Sequence, residues 1–392
     1  MALPLLPEFL VGYVLISWFV WRIYSGHLTC AFLQIPRSFA LILPYFVWYL
    51  WRWSATGWTV EGGHVLVMHL QWLIIPLLLL GLPQKLKDHA HQLFFLLWAL
   101  MLFTSFGLCL EGIIEWILGD TPSEGFSDHP LFYIGLSDPL MHPGYLSMIV
   151  SVFFMTALIV PRPAWVSKRR FLLGQLFLLL FLVMLSSRMI LGVLLLTWPI
   201  AGQFWKNFHR KAGILITFSI IFLILAFSLG YLPQPIDHRI RDLSQVEYRI
   251  DADSLSDFSG VTIRLAEWKG ALHAIKDQPF VGHGPGLGQK ALMEAYEKLG
   301  FHVGLRYHFN AHNQYLQTAL DLGWIGSLLL VLSMIAVSFP YISSGNRMVL
   351  WYIFFFLLCS FTESTLLRQK GTVMLALYLP LLGLFPSKKV RT

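Results

Sequence analysis

Apolar residues in this chain come in blocks of about 15–25, the length needed to carry a helix across about 30 Å of hydrocarbon. The blocks lie near 6–21, 39–53, 64–82, 93–117, 142–160, 171–187, 189–205, 213–231, 324–340, 348–362 and 372–386. A soluble domain carries about a quarter charged residues. This chain of 392 residues is 12% charged and 56% hydrophobic. Transmembrane barrels alternate apolar with polar positions and would not give continuous runs. The expected fold is therefore an all-α polytopic membrane protein of about 11 transmembrane helices. A range of 10–12 follows because the block at 39–53 is short and interrupted by Arg52.

Lys and Arg set the orientation. Arg162, Lys168, Arg169 and Arg170 fill one connector, and Lys206, Arg210 and Lys211 fill another. With eleven spans these residues, Lys85, Lys87, Arg347 and the tail Lys388, Lys389 and Arg391 all face one side, the cytoplasm. The net charge of +7 is then a consequence of topology, and no nucleic-acid partner is expected. The first run is not a cleavable signal, because no basic residue precedes it. Cys30, Cys109 and Cys359 lie in or beside apolar segments, which argues against a disulfide framework or a thiolate metal site.

The outer side holds 54–63, 118–141, 363–371 and one large segment, 233–310, with nine Lys/Arg against ten Asp/Glu. Three parts follow: N-terminal transmembrane helices over 1–232, a loop domain over 233–322, and C-terminal helices with a cytoplasmic tail over 323–392. The loop is patterned as structure. Leu265, Trp268, Ala271, Leu272 and Ile275 recur at helical spacing, with Thr262 as a candidate cap and Pro279 beyond the end. GHGPGLG (282–288) reads as a turn, and a second helix runs from about 288 to 299. A third begins near Ala311 with Asn310 as cap and stops at Gly323.

Within that third helix, His312 would face the protein. Imidazole can take a proton from a hydroxyl at neutral pH without a large pKa shift. The competing assignment is a buried histidine satisfied by a backbone carbonyl. GHGPGLG lacks the Gly-Lys-Ser/Thr of a P-loop, so a phosphate cradle is the weaker reading. His302, His308 and His312 cluster, but a helix starting after His308 would separate their faces, and no metal site is expected. Glu111 and Glu115, one turn apart in a span, face either a cavity or the water interface.

His312-Asn313, nine residues, Gly323, two residues, Gly326 resembles the signature of the O-antigen ligase and polymerase superfamily. RLAEWKGALHAIKDQPFVGHGPGLG (264–288) looks like the family's Arg…Trp…Ala…Pro…Gly-x-Gly segment. SSRMILGVLLL (186–196) is similar to its short outer turn bearing an arginine, and HPGYLSM (142–148) and ESTLLRQKG (363–371) are weaker echoes. The resemblance covers about residues 130–380. It implies transfer of a glycan from an undecaprenyl-diphosphate carrier on the periplasmic side of a bacterial inner membrane, without metal or other cofactor. His312 would be the catalytic base.

The arginines suit that chemistry. Arg188, Arg264, Arg306 and Arg368 sit near outer span ends, where the positive-inside rule puts few. Guanidinium offers a diphosphate bidentate contacts. Arg188, Arg264 and Arg306 are the expected donor-diphosphate ligands, with Asn313 and Arg368 in support; the alternative for each arginine is snorkelling or an ion pair with Glu363, Glu267 or Asp138. Direct displacement would invert the anomeric centre. A ligase uses a lipid A–core acceptor, a polymerase a growing carrier-linked glycan, and the related protein oligosaccharyltransferases are expected to carry an added C-terminal region that does not follow before Thr392. Polymerases often have two large outer loops, and one is seen here, which favours the ligase. A lipid-linked-glycan transporter would instead place charges along a path through the spans, and no paired broken-helix repeats point that way.

Overall fold

A computed structural model describes residues 8–24, 37–79, 88–118, 130–137, 140–202, 250–251, 253–343 and 345–385. The expected span at 213–231, the first part of the loop at 233–249, Cys30, Asp138 and the basic residues of 85–87, 206–211 and 388–391 lie outside them. The described residues form helices and no strand. In chain order the helices are α1 (Glu8–Tyr24), α2 (Leu43–Ala55), α3 (Val60–Leu79), α4 (Ala90–Leu118), α5 (Tyr133–Ser137), α6 (Pro143–Ile159) and α7 (Lys168–Met184). There follow α8 (Arg188–Gly202), α9 (Thr262–Ile275), α10 (Gly288–Lys298), α11 (His302–Arg306), α12 (Gln314–Ser343), α13 (Arg347–Cys359) and α14 (Gln369–Gly383).

Helices cover ten of the eleven apolar blocks. Two of them, α4 and α12, are long and apolar enough to cross a bilayer. On α4 the outward side chains are large and apolar: Phe103 is 74% exposed and Leu118 79%. Large apolar side chains exposed along a helix suit lipid, and the exposed Glu111 and Glu115 lie toward its C-terminal end.

The chain divides into two compact units, residues 1–87 with 246–392, and residues 88–245. In the second, α4 packs on α6 and α7, and α8 on α6. A buried polar clasp ties three of these helices. The indole N–H of Trp98 donates to Oε1 of Gln175 at 3.1 Å, and the Gln175 amide donates to the Phe154 carbonyl at 2.9 Å. The turn between α7 and α8, with Ser186 at φ 50°, brings Arg188 to the start of α8.

In the first unit, α12 packs on α2, α13 and the 3₁₀ turn Arg37–Ile42, while α14 packs on α3 and α13. The polar segment packs on this unit through α9, α10 and α11. Ala266, Ala271, Ala274 and Ile275 of α9 meet Leu292 and Tyr296 of α10 and Leu316, Ala319 and Leu320 of α12 in one buried cluster.

The long α12 is not one straight helix. Gly323 has φ 68° and ψ 179°, a combination open almost only to glycine. The break lets the Trp324 N–H donate to the Pro279 carbonyl at 2.8 Å. A Cβ at position 323 would stand 2.1 Å from the backbone of Phe280. Gly323→Ala should cost about 2–5 kcal/mol, from the disallowed backbone and the forced repacking together. The expected result is a large drop in the thermal unfolding midpoint in detergent, and a wild-type midpoint would mean that the joint yields easily.

Candidate active site

The site is built from three separate stretches of the first unit: α9, the turn before α12, and the connector after α13. Helix α9 starts from a reciprocal cap. Ser259 Oγ accepts from the Thr262 N–H at 3.1 Å, and Thr262 Oγ1 accepts from the Ser259 N–H at 2.8 Å. Ser259 is thus the capping side chain, in place of the expected Thr262, which returns the bond from within the helix. Arg264 and Glu267 follow three residues apart and share a side of α9.

His312 is not inside a helix. Helix α12 begins at Gln314, and its cap is Asn313, whose Oδ1 accepts from the N–H groups of Tyr315 and Leu316 at 3.0 and 3.1 Å. Asn310, expected to cap this helix, instead holds the turn before it. Its Oδ1 accepts from the His312 N–H at 2.7 Å and from the Ser364 hydroxyl at 2.9 Å. His312 sits in this turn with φ 39°. Positive φ in a residue of this size is uncommon and is held only by its surroundings.

Nδ1 of His312 lies 2.9 Å from Oε1 of Glu267. An ionised carboxylate can only accept, so Nδ1 carries the proton and donates it, which leaves Nε2 as the acceptor nitrogen. Glu267 is 1% exposed and its Oε2 is buried without a hydrogen-bond partner. A carboxylate so placed is costly unless a cation answers it. The effect on His312 follows from competing influences. Burial is the largest and opposes protonation, but the hydrogen bond and charge of Glu267, with the charge of Glu363, outweigh it. Arg264 pulls the other way, and the net result is a pKa above the ordinary 6.5. Behind Glu267, burial first and the Glu267 charge second keep the Tyr296 phenol protonated.

Arg264 donates from Nη2 to Oε1 of Glu363 at 2.6 Å, with side chains 22% and 13% exposed. That pairing is one of the alternatives expected for this arginine. It leaves most of the five guanidinium N–H donors uncommitted to Glu363. The connector carrying Glu363 is anchored beside the site, because the Leu366 N–H donates to Oε1 of Gln314 at 2.7 Å. Arg264, Glu267, His312 and Glu363 thus form one cluster with two acid–base pairs. Of the other expected residues, Arg306 is exposed at the end of α11 and Arg368 is exposed at the start of α14. Arg188 belongs to the second unit. Glu111 and Glu115 are exposed on α4.

GHGPGLG is a structural turn and its N–H groups are committed within the fold. His283 and Gly284 donate to the carbonyls of Leu320 and Asp321 at 2.8 and 2.9 Å, and Gly288 donates to Oδ1 of Asp321 at 2.9 Å. Glu267 and Glu363 are the members of the cluster to which the sequence assigned no role beyond pairing with arginines. A signal for Glu267 was available: a single acid on the otherwise small and apolar buried side of α9 (Ile263, Ala266, Gly270, Ala271) needs a partner.

No curated protein matches the chain. Residues 173–331 match the family model described as O-antigen ligase, a stretch that includes Arg188, Arg264, Glu267, His312 and Gly323 but ends before Glu363 and Arg368. The hydrogen-bonded His312–Glu267 pair and Arg264 beside it therefore lie within the stretch that is similar to the O-antigen ligase family.

Proposed function

We propose that the chain is a membrane-embedded glycosyltransferase of the O-antigen ligase type, which moves a glycan from undecaprenyl diphosphate to a hydroxyl of lipid A–core on the periplasmic side of the inner membrane. The observation that carries this reading is the hydrogen bond from His312 to the buried Glu267, with Arg264 in the same cluster. A base whose Nδ1–H is held by a carboxylate presents Nε2 in one orientation, ready to receive a proton.

In the reaction, Nε2 of His312 takes the acceptor hydroxyl proton as that oxygen bonds to the anomeric carbon. The bond from that carbon to the diphosphate oxygen breaks, and its electron pair leaves with undecaprenyl diphosphate. Attack opposite the leaving group inverts the centre. Arg264 stabilises the charge that develops on the diphosphate, which takes the place of Glu363 as its partner. Arg306 completes the donor-phosphate contacts, with Asn313 and Arg368 in support. The carrier chain lies among the transmembrane helices, multi-pass with about eleven spans. No metal or nucleotide takes part.

Purified protein should transfer glycan to lipid A–core with chelator present and without ATP or an ion gradient. His312→Ala should fold and lose about 10²–10⁴-fold in turnover, and normal turnover at wild-type expression would remove His312 from the mechanism. Lengthening of carrier-linked glycan, with lipid A–core untouched, would make the enzyme a polymerase. Binding of both lipids without transfer would point to a transporter. Arg264→Lys retains the charge and loses the fork, so transfer should be severely reduced; equal activity would reduce Arg264 to a counter-ion.

The pH dependence has a defined sign. His312 works as a base only when neutral, and its raised pKa puts the acid limb of kcat/KM above pH 6.5. Glu267→Gln removes the charge that raises it and leaves burial, so the acid limb should move to lower pH while the maximum rate falls. A limb that stays in place would mean that another group sets it.

A further inference from the structure

Between α11 and α12 the chain makes a short aromatic shelf beside the general base. Tyr307 and Phe309 stack with ring centroids 5.6 Å apart and planes within 15°. Phe309 in turn meets His312 edge to face, with centroids 6.2 Å apart. Phe309 rests partly buried against the loop core, while Tyr307 is 51% exposed. The Tyr307 ring stacks with Phe309 in an offset, near-parallel arrangement and keeps half of its surface open to solvent.

The shelf is held more firmly than an exposed loop requires. The Tyr307 N–H donates to the Val303 carbonyl and the Phe309 N–H to the Gly304 carbonyl, both at 3.1 Å. Gln289, from α10, donates its amide to the carbonyls of His308 and Phe309 at 3.4 and 3.1 Å. Ala311 donates its N–H to Oε1 of Gln317 at 3.1 Å. His308 and His312 bracket the segment with φ 51° and 39°. Two histidines in left-handed conformation within five residues are backbone strain of the kind that collects at ligand clamps. His308 places the neighbouring rings at 307 and 309 on one side of the chain, stacked.

We infer that Tyr307 and Phe309 form the platform on which the acceptor sugar lies, rather than a lipid-facing anchor. A pyranose ring has one face of axial C–H groups, and an aromatic face carries the negative side of its quadrupole, so the two stack. Phe309 stands between Tyr307 and His312 in the row, so a ring lying over Tyr307 is the neighbour of the sugar whose hydroxyl reaches His312. The platform therefore holds a hexopyranose unit of the acceptor next to the one that meets the base. The inference rests on the proposed transfer reaction for its kinetic readout, and on direct glycan binding for a readout independent of it.

The experiment uses the full chain in detergent, with lipid A–core as acceptor and the delipidated core oligosaccharide as the binding probe. Tyr307→Ala should raise KM for the acceptor about fivefold to tenfold and shift KM for the donor little. Tyr307→Trp and Tyr307→Phe should restore the acceptor KM, because the ring face is what binds. An unshifted acceptor KM in Tyr307→Ala overturns the platform, as does a Tyr307→Phe defect equal to that of Tyr307→Ala. If wild type transfers nothing, the reaction assigned above fails, and saturation-transfer NMR decides the platform alone. Saturation of the sugar C–H protons in wild type, lost in Tyr307→Ala, supports it. No saturation in wild type, or saturation equal in the variant, rejects it.

Discussion

The joint between the polar loop and α12 is the contact on which the site depends. The His312–Glu267 contact needs α9, which carries Arg264 and Glu267, to hold a fixed distance from a histidine 45 residues further along the chain. That distance is set by backbone hydrogen bonds. Trp324 donates to Pro279, and His283 and Gly284 donate to Leu320 and Asp321, so the segment just after α9 is stitched to both sides of the Gly323 break. The carboxylate of Asp321 adds the Gly288 N–H and so fixes the start of α10. From the other side, Arg52 donates to the Gly282 carbonyl, Thr59 to Pro285, and Trp48 to Leu322, which ties the α2–α3 hairpin to the same turn. Net worth per bond is about 1 kcal/mol, but every bond here also removes freedom from the loop that positions the acid–base cluster.

The cluster itself balances charge in a confined space. Two acids and two bases alternate in contact, Arg264 with Glu363 and His312 with Glu267. The buried acid favours a proton on His312, and this has a thermodynamic counterpart. A group whose pKa is higher folded than unfolded stabilises the fold below its unfolded pKa, and loses that contribution as pH rises through the folded value. The folded state therefore gains from protonated His312 at acid pH, whereas the proposed reaction needs it neutral. An anionic donor competing with Glu363 for Arg264 would change both balances at once.

Much of the architecture could be read from the chain. Blocks of apolar residues announce helices because lipid and core alike demand that backbone groups be satisfied within the segment, and helices cover the blocks that fall among the described residues. Helices α9 and α10 also fall where periodicity and Gly300 place them, the latter with φ 69°. The start of α12 was misplaced for a definable reason. Asn310 and Asn313 are both good caps by residue type, and choosing between them depends on what each oxygen meets in three dimensions. Asn310 meets Ser364, which is 54 residues away. Glu267 and Glu363 were hidden as partners for the same reason, since a contact across 45 or 99 residues leaves no mark on local spacing.

The His-Asn…Gly…Gly spacing now has a physical meaning at every position. His312 sits in a turn before the helix, with φ 39°, where its ring meets Glu267. Asn313 caps α12 and so fixes where that turn ends. After nine intervening residues, about two and a half helical turns, Gly323 breaks the helix so that its carbonyls at 320 and 321 can receive the loop. Gly326 then lies against the Leu322 side chain, where a Cβ would approach within 2.2 Å. An insertion of one residue between Asn313 and Gly323 would rotate the break by about 100° around the helix and aim those carbonyls away from Pro279 and His283. The spacing is thus a measured length of helix between His312 and the joint that holds its partner Glu267, and that length cannot drift while both ends remain engaged.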